Sequence, residues 1–159
     1  MSRRERRREE PDKLSFASLG FCLLLIGVIL IITPNLFQKV IDFFKDFEIA
    51  EISSKIFLPA PVHHHPVVYS SFARFCFVFG LFQIVILVLR FLFREPLNRV
   101  AGTFSGIVFW LGAGFFSNLL AAEAIEWFGF LGWLIVFGGL SLVVRSLLVL
   151  LVKVGLRKL

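Results

Sequence analysis

The sequence predicts an all-α integral membrane bundle of four transmembrane helices, with one amphipathic interfacial helix in the first outer loop. Three observations carry this. Four long apolar runs, Phe16–Thr33, Phe72–Phe93, Thr103–Ala122 and Trp127–Val152, are each of a length that crosses a bilayer core of about 30 Å. The chain is 58% hydrophobic but only 18% charged, against roughly a quarter charged in soluble domains, and most charges lie outside the runs. The basic residues are sorted onto alternate connections. The runs occupy so much of the 159 residues that one membrane domain, 1–159, is expected.

Residues 1–13 form a charge-mixed tail with arginines at 3, 4, 6, 7 and 8. Short basic connections stay in the cytoplasm during insertion, so the sorting sets the topology. With the N-terminus inside, 13 of the 17 basic residues fall on inner segments together with five of the 11 acids. Both termini, including tail 153–159, are then cytoplasmic, and the expected location is the cell membrane. The overall charge of +6 is accounted for by this topology, so no nucleic-acid partner is expected. A basic inner surface implies membrane lipids as partners, anionic headgroups among them.

Phe16–Thr33 reads as an uncleaved anchor. It is longer than a signal-peptide core of 7–15 residues, and no Ala-x-Ala site follows. After Pro34, residues 35–47 place Leu36, Phe37, Val40, Ile41, Phe43, Phe44 and Phe47 on one helical face, with Asn35 as N-cap and Gln38 at the capping-box position. This helix is expected flat at the outer interface, its apolar face against lipid, bundle top or a partner protein.

Residues 48–71 read as an outer loop. Pro59, Pro61 and Pro66 exclude a regular helix and favour polyproline-like chain. His63, His64 and His65 are candidate metal ligands. Neighbours in extended chain point apart, so a site would need help from a residue such as Glu51, Glu123 or Glu126. A pH-sensitive role and a plain solvated loop are the alternatives.

In Phe72–Phe93, Arg74 and Arg90 lie about 24 Å apart along the axis and can snorkel to opposite headgroup layers. Gln83 falls mid-span, where an amide needs a hydrogen-bonding helix neighbour. Arg90, Arg94, Arg99 and Arg145 form an inner belt that anchors the chain or holds a lipid headgroup. Gly102, just before Thr103–Ala122, and Gly106 and Gly112 within it, with Gly138 in the last run, mark close helix packing, and Asn118 is a second polar contact residue. The last two runs, joined by a tight turn, should form an antiparallel hairpin packed through these glycines. The last run would span about 39 Å, so it tilts or emerges at the inner surface. Cys22 and Cys76 differ by about 15 Å in depth, too far for a disulfide.

Phe109–Gly114 (FWLGAG) and Ser141–Arg145 (SLVVR) resemble segments of small uncharacterised archaeal multi-pass membrane proteins, a resemblance covering about half the chain. It implies a multi-pass membrane fold and no particular activity.

No Asp, Glu or His lies in a span core, which argues against proton-coupled transport. No internal proline breaks a span, which argues against a broken-helix transporter. No phosphate loop, zinc-protease or nucleophile-elbow motif occurs, so neither an enzyme nor a cofactor is expected. The expected function is a non-enzymatic subunit or scaffold acting by association, as a homo-oligomer or in a larger membrane complex. The alternatives are a homo-oligomeric channel lined by Gln83, Asn118 and serines, and an anionic-lipid-binding protein using the arginine belt.

Overall fold

The computed structural model describes residues 13–53 and 56–156. The tails 1–12 and 157–159 lie outside the described residues. Five helices and one hairpin follow in order: α1 (Lys13–Ile32), α2 (Leu36–Lys45), β1 (Phe47–Ser53), β2 (Ile56–Pro61), α3 (Pro66–Leu92), α4 (Leu97–Ala121) and α5 (Trp127–Leu156). The helices α1, α3, α4 and α5 are each long and apolar enough to cross a membrane.

These four helices have weak amphipathic character because apolar side chains surround them, which is the pattern of a helix solvated by hydrocarbon. Packing runs from neighbour to neighbour. The central pair is α3 and α4; α1 lies on α3, α5 on α4, and α2 on the start of α3. Only 6% of the most apolar 18-residue stretch of α5 is buried, against 44% in α4. The outer helices therefore keep most of their surface open to lipid.

Several boundaries move from the sequence reading. Residues 48–71 are not a loop throughout: Phe47–Ser53 and Ile56–Pro61 pair as an antiparallel hairpin, with Phe47 opposite Pro61 and Ile49 opposite Pro59. Prolines at 59 and 61 fit because residues two apart in a strand share one edge, and both then face away from β1. The backbone N–H of Val62 bonds to the Asp46 carbonyl at 3.1 Å, which closes the ribbon's base. The helix α3 starts at Pro66 instead of Phe72, because proline at the first helical position gives up no hydrogen bond. Likewise α4 starts at Leu97, directly after Pro96, well before Thr103.

The amphipathic segment is helical, but its start differs from the expected cap. Asn35 stands in the left-handed region at φ 56° and makes no side-chain cap bond. The Gln38 amide donates to Asp42 at 3.0 Å instead of closing a capping box. The apolar face of α2 is divided: Leu36 and Phe43 are buried on the bundle, while Phe37 and Phe44 are about 70% exposed.

The close helix contacts use only part of the expected glycine set. A Cβ at Gly112 would overlap the Phe137 ring of α5. At Gly114 it would lie 3.0 Å from the Cys76 Cβ, and at Gly80 2.8 Å from Leu111. Gly102, Gly106 and Gly138 face open space. The tightest glycine contacts thus include the α3–α4 pair, which sequence spacing did not single out.

Candidate functional site

Three polar or open features distinguish the two ends of the bundle. At the hairpin end, Asp46 follows α2 and faces the connection that leads into α3. Its Oδ2 accepts the backbone N–H of His63 at 2.7 Å, and its Oδ1 lies 2.6 Å from the His63 Nδ1. The His65 Nε2 donates to Oδ2 at 2.9 Å. The His63 side chain, then the backbone N–H, then His65 hold the Asp46 carboxyl well below the usual carboxylate range. The same bond to Asp46 raises the pKa of His63.

His64 turns elsewhere. Its Nε2 donates to the Leu120 carbonyl at 2.9 Å, and its Nδ1 lies 3.1 Å from the Glu123 carboxylate. The three rings therefore do not converge on one ion. Among the described residues no group of three or more His, Cys, Asp or Glu is placed to hold a metal. The triplet is a latch: His63 and His65 tie α3 to the end of α2, and His64 ties it to the end of α4. Sequence reading considered Glu123 as a helper but missed Asp46, whose place at the end of an amphipathic helix was the available signal.

At the opposite end, Arg90 is buried on α3. Its Nη1 donates to Glu95 at 2.7 Å and its Nη2 to the Ser15 hydroxyl at 3.1 Å. Arg99 reaches within 3.9 Å of the same carboxylate. Arg94 is exposed with φ 50° and ends the turn after α3. The expected belt is thus split. Arg90, Arg99 and Arg145 line a cleft of about 400 Å³ with Ser15, Ser18 and Gln83, while Arg94 lies outside it. Gly102 and Gly106 form part of its wall, which explains why no helix packs on them. Gln83 is half-buried in this cleft, whereas Asn118 is exposed on α4. The two amides therefore do not line one path within the chain.

A third feature was not anticipated. Between α1 and α5, at the hairpin end, lies a cleft of about 440 Å³ under α2. Its walls are apolar apart from Ser71, Ser117, Tyr69 and Trp127. The hydroxyls of Ser71 and Ser117 and the indole N–H of Trp127 are buried behind this apolar surface without a hydrogen-bond partner. Serine in a span reads as a small packing residue, so no sequence signal separated these two from the rest.

No protein-family model, no curated protein and no solved structure matches this chain. Its class is defined by its own fold: a multi-pass helical membrane bundle with a small hairpin on one end.

Proposed function

We propose that this protein is a non-enzymatic subunit or scaffold that acts by association in the cell membrane, with both termini and the Arg90 end cytoplasmic. The observation that carries this reading is the open edge-to-edge arrangement of the helices. The helix α5 packs along α4 and meets α2, α3 and the hairpin through its first turns, while Gly129, Gly132, Gly138 and Gly139 face open space along it. Small residues let another helix backbone approach closely in lipid, where no hydrophobic driving force exists between helices. Gly20 and Gly27 leave α1 open in the same way. A second copy of the chain or a larger membrane protein would cover these flanks. The channel alternative has less support, since Gln83 and Asn118 lie on different surfaces.

Native mass spectrometry from mild detergent tests the reading. A mass of two or more copies, or of a complex with another membrane protein, is expected. Gly132→Leu with Gly139→Leu should return it to a single copy with helicity unchanged. A wild-type mass of one copy alone, in every mild detergent tried, overturns the proposal.

The cleft at the Arg90 end favours a second reading, a bound anionic lipid headgroup. Arg99 and Arg145 from different helices face one space with the hydroxyls of Ser15 and Ser18, a set suited to phosphate oxygens. Arg99→Glu with Arg145→Glu should remove copurifying anionic lipid, while Arg94→Glu should not. Equal lipid retention in both variants would refute this second reading.

A further inference from the structure

The cleft at the Arg90 end does not stop at headgroup depth. Its mouth is marked by Asn98 and Arg99, in the first turn of α4. Gly106 lies about two turns further along α4, and Gln83 about two turns from Arg90 along α3, so the floor reaches about 10 Å deeper into the spans. The helix α1 supplies one side of the cleft and α5 the other, and these two pack on α3 and α4 and not closely on each other. The space between them is open to lipid.

The polar groups fall on two levels. At the mouth, Arg99 and Arg145 bring two cations together beside the Asn98 amide. Arg145 makes no ion pair or hydrogen bond among the described residues. No carboxylate is in the cleft wall among the described residues, and Glu95, the nearby one, is the carboxylate on which Arg90 and Arg99 meet. The mouth therefore favours a net negative head, and arginine suits the oxygens of a phosphate. Deeper stand the Ser18 hydroxyl and the Gln83 amide, both half-buried, and neither makes a hydrogen bond among the described residues. Neither is sealed behind an apolar wall as the hydroxyls of Ser71 and Ser117 are. An amide within a span calls for a hydrogen-bonding partner, and both groups can donate.

The deep wall is also bare. A Cβ at Gly102 or Gly106 would meet nothing within 4 Å, so a strip of α4 backbone is open to a hydrocarbon chain. A phospholipid carries its groups in the matching order: phosphate, then ester oxygens that only accept, then acyl chain. A free phosphate ion would use the mouth and leave the deep donors without acceptors. Building on the anionic-headgroup reading, we propose that this cleft binds one whole anionic phospholipid. Arg99 and Arg145 hold its phosphate, Ser18 and Gln83 donate to its ester oxygens, and one acyl chain lies along Gly102 and Gly106.

The test uses the full chain, delipidated in detergent, with bound molecules counted by native mass spectrometry. The probes are dioleoyl phosphatidylglycerol, dioleoyl phosphatidylcholine and glycerol 3-phosphate. One phosphatidylglycerol should bind saturably, and phosphatidylcholine, whose head cation offsets its phosphate, about tenfold more weakly. Glycerol 3-phosphate at equal concentration should not displace the lipid. Gly106→Leu keeps every charge but fills the strip, and should weaken binding about tenfold, the worth of about two displaced methylenes. Circular dichroism checks folding; if Gly106→Leu does not fold, Gln83→Leu tests the same deep end by removing a donor. Unweakened binding in the folded deep-end variant, with binding lost in Arg99→Glu with Arg145→Glu, overturns the whole-lipid proposal and leaves the headgroup reading standing. Binding unchanged by the arginine reversal overturns both. Displacement by glycerol 3-phosphate, or equal affinity for the two lipids, also overturns the proposal.

Discussion

Asp46 holds His63 at two points, accepting its backbone N–H at 2.7 Å and facing its ring nitrogen at 2.6 Å. One carboxylate thereby fixes both the path of the chain and the ring of the same residue. The loop that enters α3 is docked on the end of α2 through this pair, with His65 as a third contact.

The latch should respond to pH in both directions. The Asp46 pKa is depressed, so its contribution is present above the ordinary carboxylate value and is lost as pH falls through the lowered one. The His63 pKa is raised, so its contribution is present below the ordinary imidazole value and is lost as pH rises through the raised one. Both are complete only between about pH 4 and about pH 6.5. Hydrogen exchange at residues 62–69, corrected for intrinsic rates, should be slowest in that window and accelerate above it. Asp46→Asn should flatten the profile; an unchanged profile would separate the latch from the pH response.

The glycines of α4 should sort by what stands opposite them. At Gly114 an added methyl meets the Cys76 Cβ at 3.0 Å and the Ala73 carbonyl oxygen at 3.3 Å, neither of which can swing away. Gly114→Ala should therefore cost about 1–3 kcal/mol, read as a lower thermal midpoint in detergent. Gly102→Ala and Gly106→Ala face open space and should leave the midpoint unchanged or slightly higher.

Glu95 is the carboxylate on which Arg90 and Arg99 meet. Arg90 is only 5% exposed, so removing its counter-charge leaves a cation poorly solvated. Glu95→Gln is expected to destabilise by about 1–3 kcal/mol. Arg94→Gln, on an exposed side chain, is expected to change little. Urea or thermal unfolding followed by circular dichroism compares the two.

Thiol labelling can check both packing and orientation. Cys76 is fully buried between α3 and α4, so a maleimide should not label it in the folded state. Cys22 is half-buried within α1 and should react only with a membrane-permeant reagent. In a background lacking both cysteines, a thiol introduced at Phe57, exposed on β2, should react with an impermeant reagent from outside intact cells. A thiol at Arg94 should react only after lysis. Reversed results would invert the proposed topology.

Much of the fold was legible because lipid imposes a strong rule. A segment without water must satisfy its backbone internally, so long apolar runs can only be helices here. Run length and hydropathy therefore located α1, α3, α4 and α5, and the helical period located α2. The hairpin was not legible. Prolines at 59 and 61 exclude helix, but strand and polyproline chain look alike until β1 is seen to supply the pairing edge. The latch was half-legible: three histidines drew attention, but their partners Asp46, Leu120 and Glu123 are distant in sequence.

What the sequence determined by itself was the class, four membrane-length helices, because hydrocarbon solvation acts on each segment separately. What only the tertiary structure decided was which polar groups meet. Glycine spacing treats Gly102 and Gly112 alike, yet one faces a cleft and the other a phenylalanine ring. Ser71 and Ser117 look like any span serines, yet packing leaves both hydroxyls buried without a hydrogen-bond partner. Such distinctions depend on which neighbour a helix face turns toward, and that is set by packing between helices, not by the composition of any one of them.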